Sequence, residues 1–121
     1  MSTAFDRLGY GTYKLAHGEE CVAGVEHALE TGYRHVDTAQ GYDNEASVSA
    51  GIDRTDVDRD DLFVATKLST DNLSYDDALA TARVSRDRLG VDSINLLYVH
   101  WPIHTYDPEE TDLRGAVEDA R

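Results

Sequence analysis

Asp37, Tyr42, Lys67 and His100 are four side chains able to hold, move or steer a proton, and their spacing lets them meet. Asp37 follows the short run Tyr33–Val36, Lys67 follows Leu62–Thr66, and His100 follows Ile94–Val99, while Tyr42 lies in the loop just beyond Asp37. If the three runs are adjacent strands, about 4.8 Å apart, their carboxyl ends bring these side chains together. A free tyrosine has a pKa of about 10 and is a poor acid at neutral pH. A neighbouring ammonium favours the phenolate and makes such a tyrosine a better acid. Lys67 would supply that ammonium, Asp37 would keep it charged and oriented, and His100 would hydrogen-bond a substrate carbonyl oxygen. The set is a proton-donor arrangement for reducing a carbonyl, with the hydride coming from elsewhere.

The elements that must position these residues are legible in the pattern. Leu8–Tyr13 reads as a strand carrying two glycines, which suggests close backbone packing. A helix opens after Gly18 with two acids in its first turn, buries Val22, Val25, Ala28 and Leu29, and stops at Gly32. Tyr33–Asp37 is the second strand, and Asn44 and Glu45 open a second helix that runs to about Asp53. Asp61–Thr66 is the third strand. Ser74 caps the third helix with Asp77 in the capping-box position, and Gly90 ends it. Ile94–Val99 is the fourth strand, Pro102 terminates it, and a fourth helix is expected from Glu109–Asp112 to Arg121.

Four strand-plus-helix units of roughly 30 residues match the size of a βαβ repeat. The continuous apolar runs Leu62–Ala65 and Ile94–Val99 predict a parallel sheet covered on both faces. A doubly wound sheet and half of a (β/α)8 barrel both fit this order. The dinucleotide fingerprint fails, because Gly9-Tyr-Gly11 has no third glycine in position.

The same residues carry a family resemblance. Asp37-Thr-Ala-Gln-Gly-Tyr42-Asp-Asn44-Glu45 resembles the first signature of the aldo-keto reductases. Leu89-Gly-Val-Asp92 through Leu96-Leu-Tyr-Val-His100-Trp101-Pro102 resembles the second. Thr66-Lys67-Leu68 sits where that family has its lysine, and the Leu8–Tyr13 opening is similar to its first strand. The resemblance implies a (β/α)8 TIM barrel and NADP(H)-dependent reduction of aldehydes or ketones. It implies Tyr42 as proton donor, Asp37 and Lys67 as its modulators, and His100 as the residue orienting the substrate. Thr12 and Asp37 would lie near the nicotinamide, and Tyr13, His100 and Trp101 would line the substrate pocket.

Such a barrel takes about 250 residues. The 121 residues here therefore read as a half-barrel, incomplete at its C-terminus and lacking the family's main cofactor contacts. The alternative to a working reductase is an inactive fragment or a self-associating half-barrel, and the missing half could instead come from a second polypeptide. Several positions depart from the family pattern. Arg86 falls on the expected inner stripe Leu79–Ala82–Arg86–Leu89, where a guanidinium would be costly to bury. Ser49, Ser93 and Asn95 also differ from the usual residues.

Charge removes other classes. The net charge is −13, with sixteen Asp and only two Lys, Lys14 and Lys67. Phosphate backbones would be repelled, which argues against nucleic-acid binding. Scattered short carboxylates suggest a salt-adapted surface and a halophilic source. No run is long and apolar enough to span a bilayer, and no signal peptide is evident, so a cytoplasmic location without membrane contact is expected. Cys21 has no partner for an internal disulfide and reads as a packed thiol. His100 and His104 are separated by Pro102 and cannot share a helix face, so no metal site is expected. The acid run from Asp56 lacks the glycine and glutamate that a calcium loop requires.

Overall fold

A computed structural model of the chain describes residues 7–101 and Asp119. The expected fourth helix from Glu109, together with Pro102 and His104, lies outside the described residues.

Seven elements alternate along the chain. They are β1 (Tyr10–Gly11), α1 (Glu19–Thr31), β2 (His35–Asp37), α2 (Glu45–Asp53), β3 (Phe63–Leu68), α3 (Tyr75–Leu89) and β4 (Leu96–Val99). The strands form one parallel sheet in the order β1-β2-β3-β4. This is the parallel α/β arrangement of a partial (β/α)8 barrel, with each helix returning the chain to begin the next strand.

Glycines with left-handed backbones end two of the helices, at Gly32 (φ 118°) and Gly90 (φ 65°). There the absence of a Cβ lets the chain reverse into the next strand. The Ser74 hydroxyl accepts the Asp77 N–H at 3.2 Å and so caps α3. The α1, α2 and α3 helices pack their apolar faces on the outer side of the sheet. Val25, Leu29, Val36, Val48, Ile52, Leu62, Val64 and Leu89 form that core, with Cys21 buried among them.

Register decides which residues share a face. Asp37 pairs with Ala65 and Ala65 with Leu96, while Lys67 pairs with Tyr98. These residues line the inner face, and Val36, Val64 and Thr66 between them turn outward to the helices.

The structure corrects four expectations. The third strand runs on to Leu68, so Lys67 lies inside a strand buried along its whole length rather than after it. The fourth strand begins at Leu96 rather than Ile94, and among the described residues it is not covered on both faces, with Leu96 and Tyr98 each 37% exposed. The first strand shrinks to Tyr10–Gly11, where pairing with β2 is confined to two register pairs. The buried stripe of α3 is Ala78–Ala82–Ser85–Leu89, so Arg86 sits half-buried beside it and no guanidinium enters the core. Asn95 is likewise no idle replacement. Its backbone N–H donates to the Val64 carbonyl at 3.0 Å and its side-chain oxygen accepts the Val64 N–H at 2.8 Å, guiding the chain into β4.

Gly51 sets the approach of α2 to α1. A Cβ there would meet the Val22 carbonyl oxygen and the Val25 Cβ, both at 2.7 Å. Alanine would gain up to about 1 kcal/mol of helix propensity. The clash is with backbone and a branched side chain, and overpacking of that kind costs about 1–3 kcal/mol. Gly51→Ala is therefore expected to destabilise the chain by about 1–2 kcal/mol net, read as a lower urea midpoint with an unchanged slope.

Candidate active site

The sheet's carboxyl edge gathers the four residues singled out in the sequence. The Lys67 ammonium donates to Asp37 Oδ2 at 2.7 Å, to the Thr38 carbonyl at 2.7 Å and to the Tyr42 hydroxyl oxygen at 3.2 Å. All three of its protons have acceptors. Its side chain is 8% exposed, against 27% for Asp37. His100 follows β4 directly and continues its ladder, the backbone N–H donating to the Leu68 carbonyl at 3.2 Å. Its ring meets the Tyr42 ring edge-on at 5.4 Å and stacks on Trp101 at 5.9 Å. Tyr13 lies on the other side of Tyr42 at 5.3 Å. Tyr13 and Trp101 are mostly exposed, Tyr13 beside Tyr42 and Trp101 beside His100.

The loops holding these rings carry local strain. Tyr13 and Tyr42 are each followed by a non-glycine residue in the left-handed region, Lys14 at φ 65° and Asp43 at φ 54°. Such residues cost about 1–3 kcal/mol unless the surroundings hold them. Here they do. The Asn44 side chain donates to the carbonyls of Thr12 and Leu15 at 3.0 and 3.1 Å and accepts the Thr38 hydroxyl at 2.7 Å. It thus staples the loop after β1 to the loop after β2. Gln40 does the same on the far side. Its side-chain oxygen accepts from the Ser69 N–H (2.9 Å) and the Asn72 amide (3.0 Å), and its amide donates to Ser85 (3.2 Å). Glu45 is buried beneath, accepting the hydroxyls of Thr66 at 2.7 Å and Ser85 at 3.2 Å. Asn44 and Glu45 were read from sequence as helix openers and, with Gln40, as part of the signature, without a role in the site. Their polar type beside a strand end was the available signal.

Tyr98 was missed altogether. Its hydroxyl donates to Asp37 Oδ1 at 2.8 Å, and its ring lies 5.2 Å from the Lys67 ammonium. Strand alternation carries the signal: Tyr98 stands two residues before His100 and so faces the same side.

Burial alone would drive the Lys67 pKa down. The hydrogen bond and charge of Asp37, with the Tyr42 hydrogen bond, outweigh it and raise that pKa above the ordinary lysine value. Burial, then the bond to Asp37, raises the Tyr98 phenol. Burial, then the Lys67 charge, lowers His100 and favours its neutral imidazole.

Thr12 is fully buried. Its N–H and hydroxyl both donate to the Asp37 carbonyl, at 3.0 and 3.1 Å, and its own carbonyl accepts from Asn44. Both Asp37 carboxylate oxygens are engaged as well. Several arginines serve the scaffold: Arg34 caps the Leu29 and Tyr33 carbonyls, Arg54 pairs with Glu19, and Arg59 pairs with Asp53. The described residues thus gather a hydrogen-bonded lysine, carboxylate and two phenols but do not by themselves fit a dinucleotide. No group of three or more His, Cys, Asp or Glu among them could hold a metal. No helix among them is long and apolar enough to cross a membrane.

The profile of the aldo/keto reductase family matches residues 7–118. The chain belongs to that family. An aldo-keto reductase of Mycolicibacterium vanbaalenii is 44% identical over 95 residues, covering 78% of this chain and 33% of that protein. The crystal structure of a putative 2,5-diketo-D-gluconic acid reductase B superposes with a TM-score of 0.84 at 37% identity, covering 93% of this chain and 39% of the other. A Bombyx mori aldo-keto reductase solved in complex with NADP superposes with a TM-score of 0.77 at 32% identity, covering 94% and 42%. This aldo/keto reductase chain spans about a third of the length of the curated relatives it matches.

The Lys67–Asp37 pair also makes a stability statement. A lysine pKa raised by folding stabilises fully below the unfolded value of about 10.4, and that contribution is lost as pH rises through the folded pKa. The wild-type chain should lose stability above about pH 10.5. Lys67→Met should cost about 1–3 kcal/mol at pH 7 by stripping three bonds from a buried site, and should lose less on moving to alkaline pH. Urea midpoints at pH 7 and 11 check both statements.

Proposed function

We propose that this chain is the proton-donating N-terminal part of an aldo/keto reductase domain that reduces aldehydes or ketones to alcohols, with Tyr42 as the acid. One observation carries the reading. Lys67 donates to the Tyr42 oxygen rather than accepting from it, so the phenolic proton is free for a substrate oxygen seated above. When that proton leaves, the phenolate forms against an ammonium fixed by Asp37, where its charge is stabilised. The neutral His100 imidazole donates a hydrogen bond to the same substrate oxygen and aligns it. Tyr13 and Trp101 hold the carbonyl compound's apolar part. NADP(H), the hydride donor of this reading, is supported by family membership and by the relative solved with NADP. Because Thr12 and Asp37 are committed within the protein, its binding falls mainly to residues outside the described set.

A second reading is favoured by the open fourth strand. Leu96 and Tyr98 on β4 are partly exposed, and an apolar edge strand invites pairing with another chain. The pairing partner is then either a complementary barrel half or a second copy without catalysis. Sedimentation separates them: a stable dimer that binds no NADPH supports the second copy, and a folded monomer that binds NADPH excludes it.

We also infer a salt-adapted surface from the charge of −13 carried with only two lysines. Repulsion among exposed carboxylates reaches about 10 Å in 0.1 M salt and about 3 Å in 1 M. The melting temperature is therefore expected to rise by at least about 4 °C between 0.1 and 2 M KCl, the equivalent of roughly 1 kcal/mol in a domain of this size. A flat or falling melting temperature removes the salt-adapted reading.

The catalytic reading is tested by NADPH oxidation with a small aldehyde, for the chain alone and mixed with the separately made C-terminal half of a relative's barrel. The mixture should turn over, and Tyr42→Phe should lower its rate by about 10²–10⁴-fold, the usual contribution of a positioned general acid. A mixture that forms a complex yet turns over no faster than its Tyr42→Phe counterpart sinks the proposal.

A further inference from the structure

Asp37 is gripped from two strands at once. Lys67 on β3 donates to Oδ2 at 2.7 Å and Tyr98 on β4 donates to Oδ1 at 2.8 Å. The two donors are register partners, so the sheet itself sets their spacing. The ammonium in turn lies between two aromatic rings, 4.8 Å from the centroid of Tyr42 and 5.2 Å from that of Tyr98. A cation so flanked gains attraction from both ring faces.

The two phenols around this ion pair have opposite hydrogen-bond polarity. Tyr98 gives its proton to a carboxylate, whereas the Tyr42 oxygen receives one from an ammonium. The first arrangement holds a phenol protonated, and the second leaves the phenolic proton available.

We propose that Tyr98 is a positioning residue for the proton-donating group: its hydroxyl fixes the Asp37 carboxylate with one oxygen turned to Lys67, and its ring closes an aromatic clamp on the ammonium. Tyr98 thereby keeps its own proton out of the reaction and leaves Tyr42 as the phenol that can give one up. The inference deepens the reductase reading and rests on it for the role of Tyr42. A packing role would be served equally by phenylalanine. The 2.8 Å bond from a partly exposed ring argues for the hydroxyl.

The titratable groups facing Lys67 are Asp37 on β2, Tyr42 in the following turn, and Tyr98 and His100 on and after β4. The chain has only two lysines, so Lys14→Arg leaves a single side-chain ammonium to follow by [15N]lysine NMR. In that background Tyr98→Phe is expected to lower the Lys67 titration midpoint by roughly 0.5–1 unit, part of the 1–3 units that a close, oriented opposite charge supplies. Tyr98→Leu, which also removes the ring, should lower it at least as far. A folded Tyr98→Phe chain with an unmoved or raised midpoint overturns the proposal.

A second measurement needs no change at Tyr98. In a chain labelled with [13Cζ]tyrosine, a phenol that stays protonated beyond the ordinary tyrosine range should return to it in Asp37→Asn, unlike Tyr10, whose rise comes first from its own burial. If Asp37→Asn moves no such phenol, the proposal fails. These readouts are independent of turnover. Lack of reductase activity with the expected titrations would count against the function of the domain, and absent titration shifts would count against Tyr98.

Discussion

The ion pair between Lys67 and Asp37 is the contact on which the site depends. An ammonium this deeply buried is costly to desolvate, and only a full set of acceptors makes it tolerable. The set here is Asp37 Oδ2, the Thr38 carbonyl and the Tyr42 oxygen. Two of these come from the end of β2 and the residue after it, and the third from the turn that follows. One cation therefore ties β3 to β2 and to the loop that carries the tyrosine. Its charge also adds to burial in opposing protonation of His100. Remove the ammonium and the carboxylate and the phenol each lose a bonded partner.

That pair needs a rigid rim, and most of the buried polar residues build it. Asn44, Gln40 and Glu45 lie in and beside one short loop, yet they reach three different parts of the fold. Asn44 holds the loop after β1, Gln40 holds the loop after β3 and α3, and Glu45 bridges β3 to α3. Most of the bonds are to backbone groups or hydroxyls, so the carboxamides act as struts rather than charges. Such fully bonded networks specify one arrangement of their surroundings. They also explain how Lys14 and Asp43 remain in left-handed conformations next to Tyr13 and Tyr42.

The sequence carried the helices well and the strands less well, for a physical reason. The α1 and α3 boundaries follow glycine stops and a serine cap, which act locally and can be read locally. Strand limits depend on pairing. Leu8–Tyr13 looks extended over six residues, but β2 offers it only two register pairs. Ile94–Val99 reads as a covered strand because its residues are apolar, whereas its start at Leu96 and its partial exposure depend on pairing and on what stands over it. Asp37, Tyr42, Lys67 and His100 were legible because polar and ionisable residues stand out at and just beyond the ends of apolar runs. Tyr98 was not, because a tyrosine in an apolar run reads as packing. Its role emerges only from the register that puts it opposite Lys67. Arg86 shows the converse error: a one-residue turn of the α3 stripe moves it from the core to its margin.

The two faces of the sheet are finished to different degrees, and this separates stability from chemistry. The outer face is a closed apolar layer under three helices, and it fixes the strands in register. The inner face near β4 is partly open at Leu96 and Tyr98. A parallel sheet usually has both faces covered. The polar group is nevertheless assembled, because its bonds run between β2, β3 and β4 and need nothing from further strands. Positioning of Tyr42 against Lys67 is thus a property of this segment, whereas exclusion of water from that group is not. In a site still open to solvent the field of Lys67 on the Tyr42 oxygen is weakened by the high dielectric, and the same geometry gains strength once the inner face is covered. The arrangement of side chains and the strength of their interaction are therefore set by different parts of the fold.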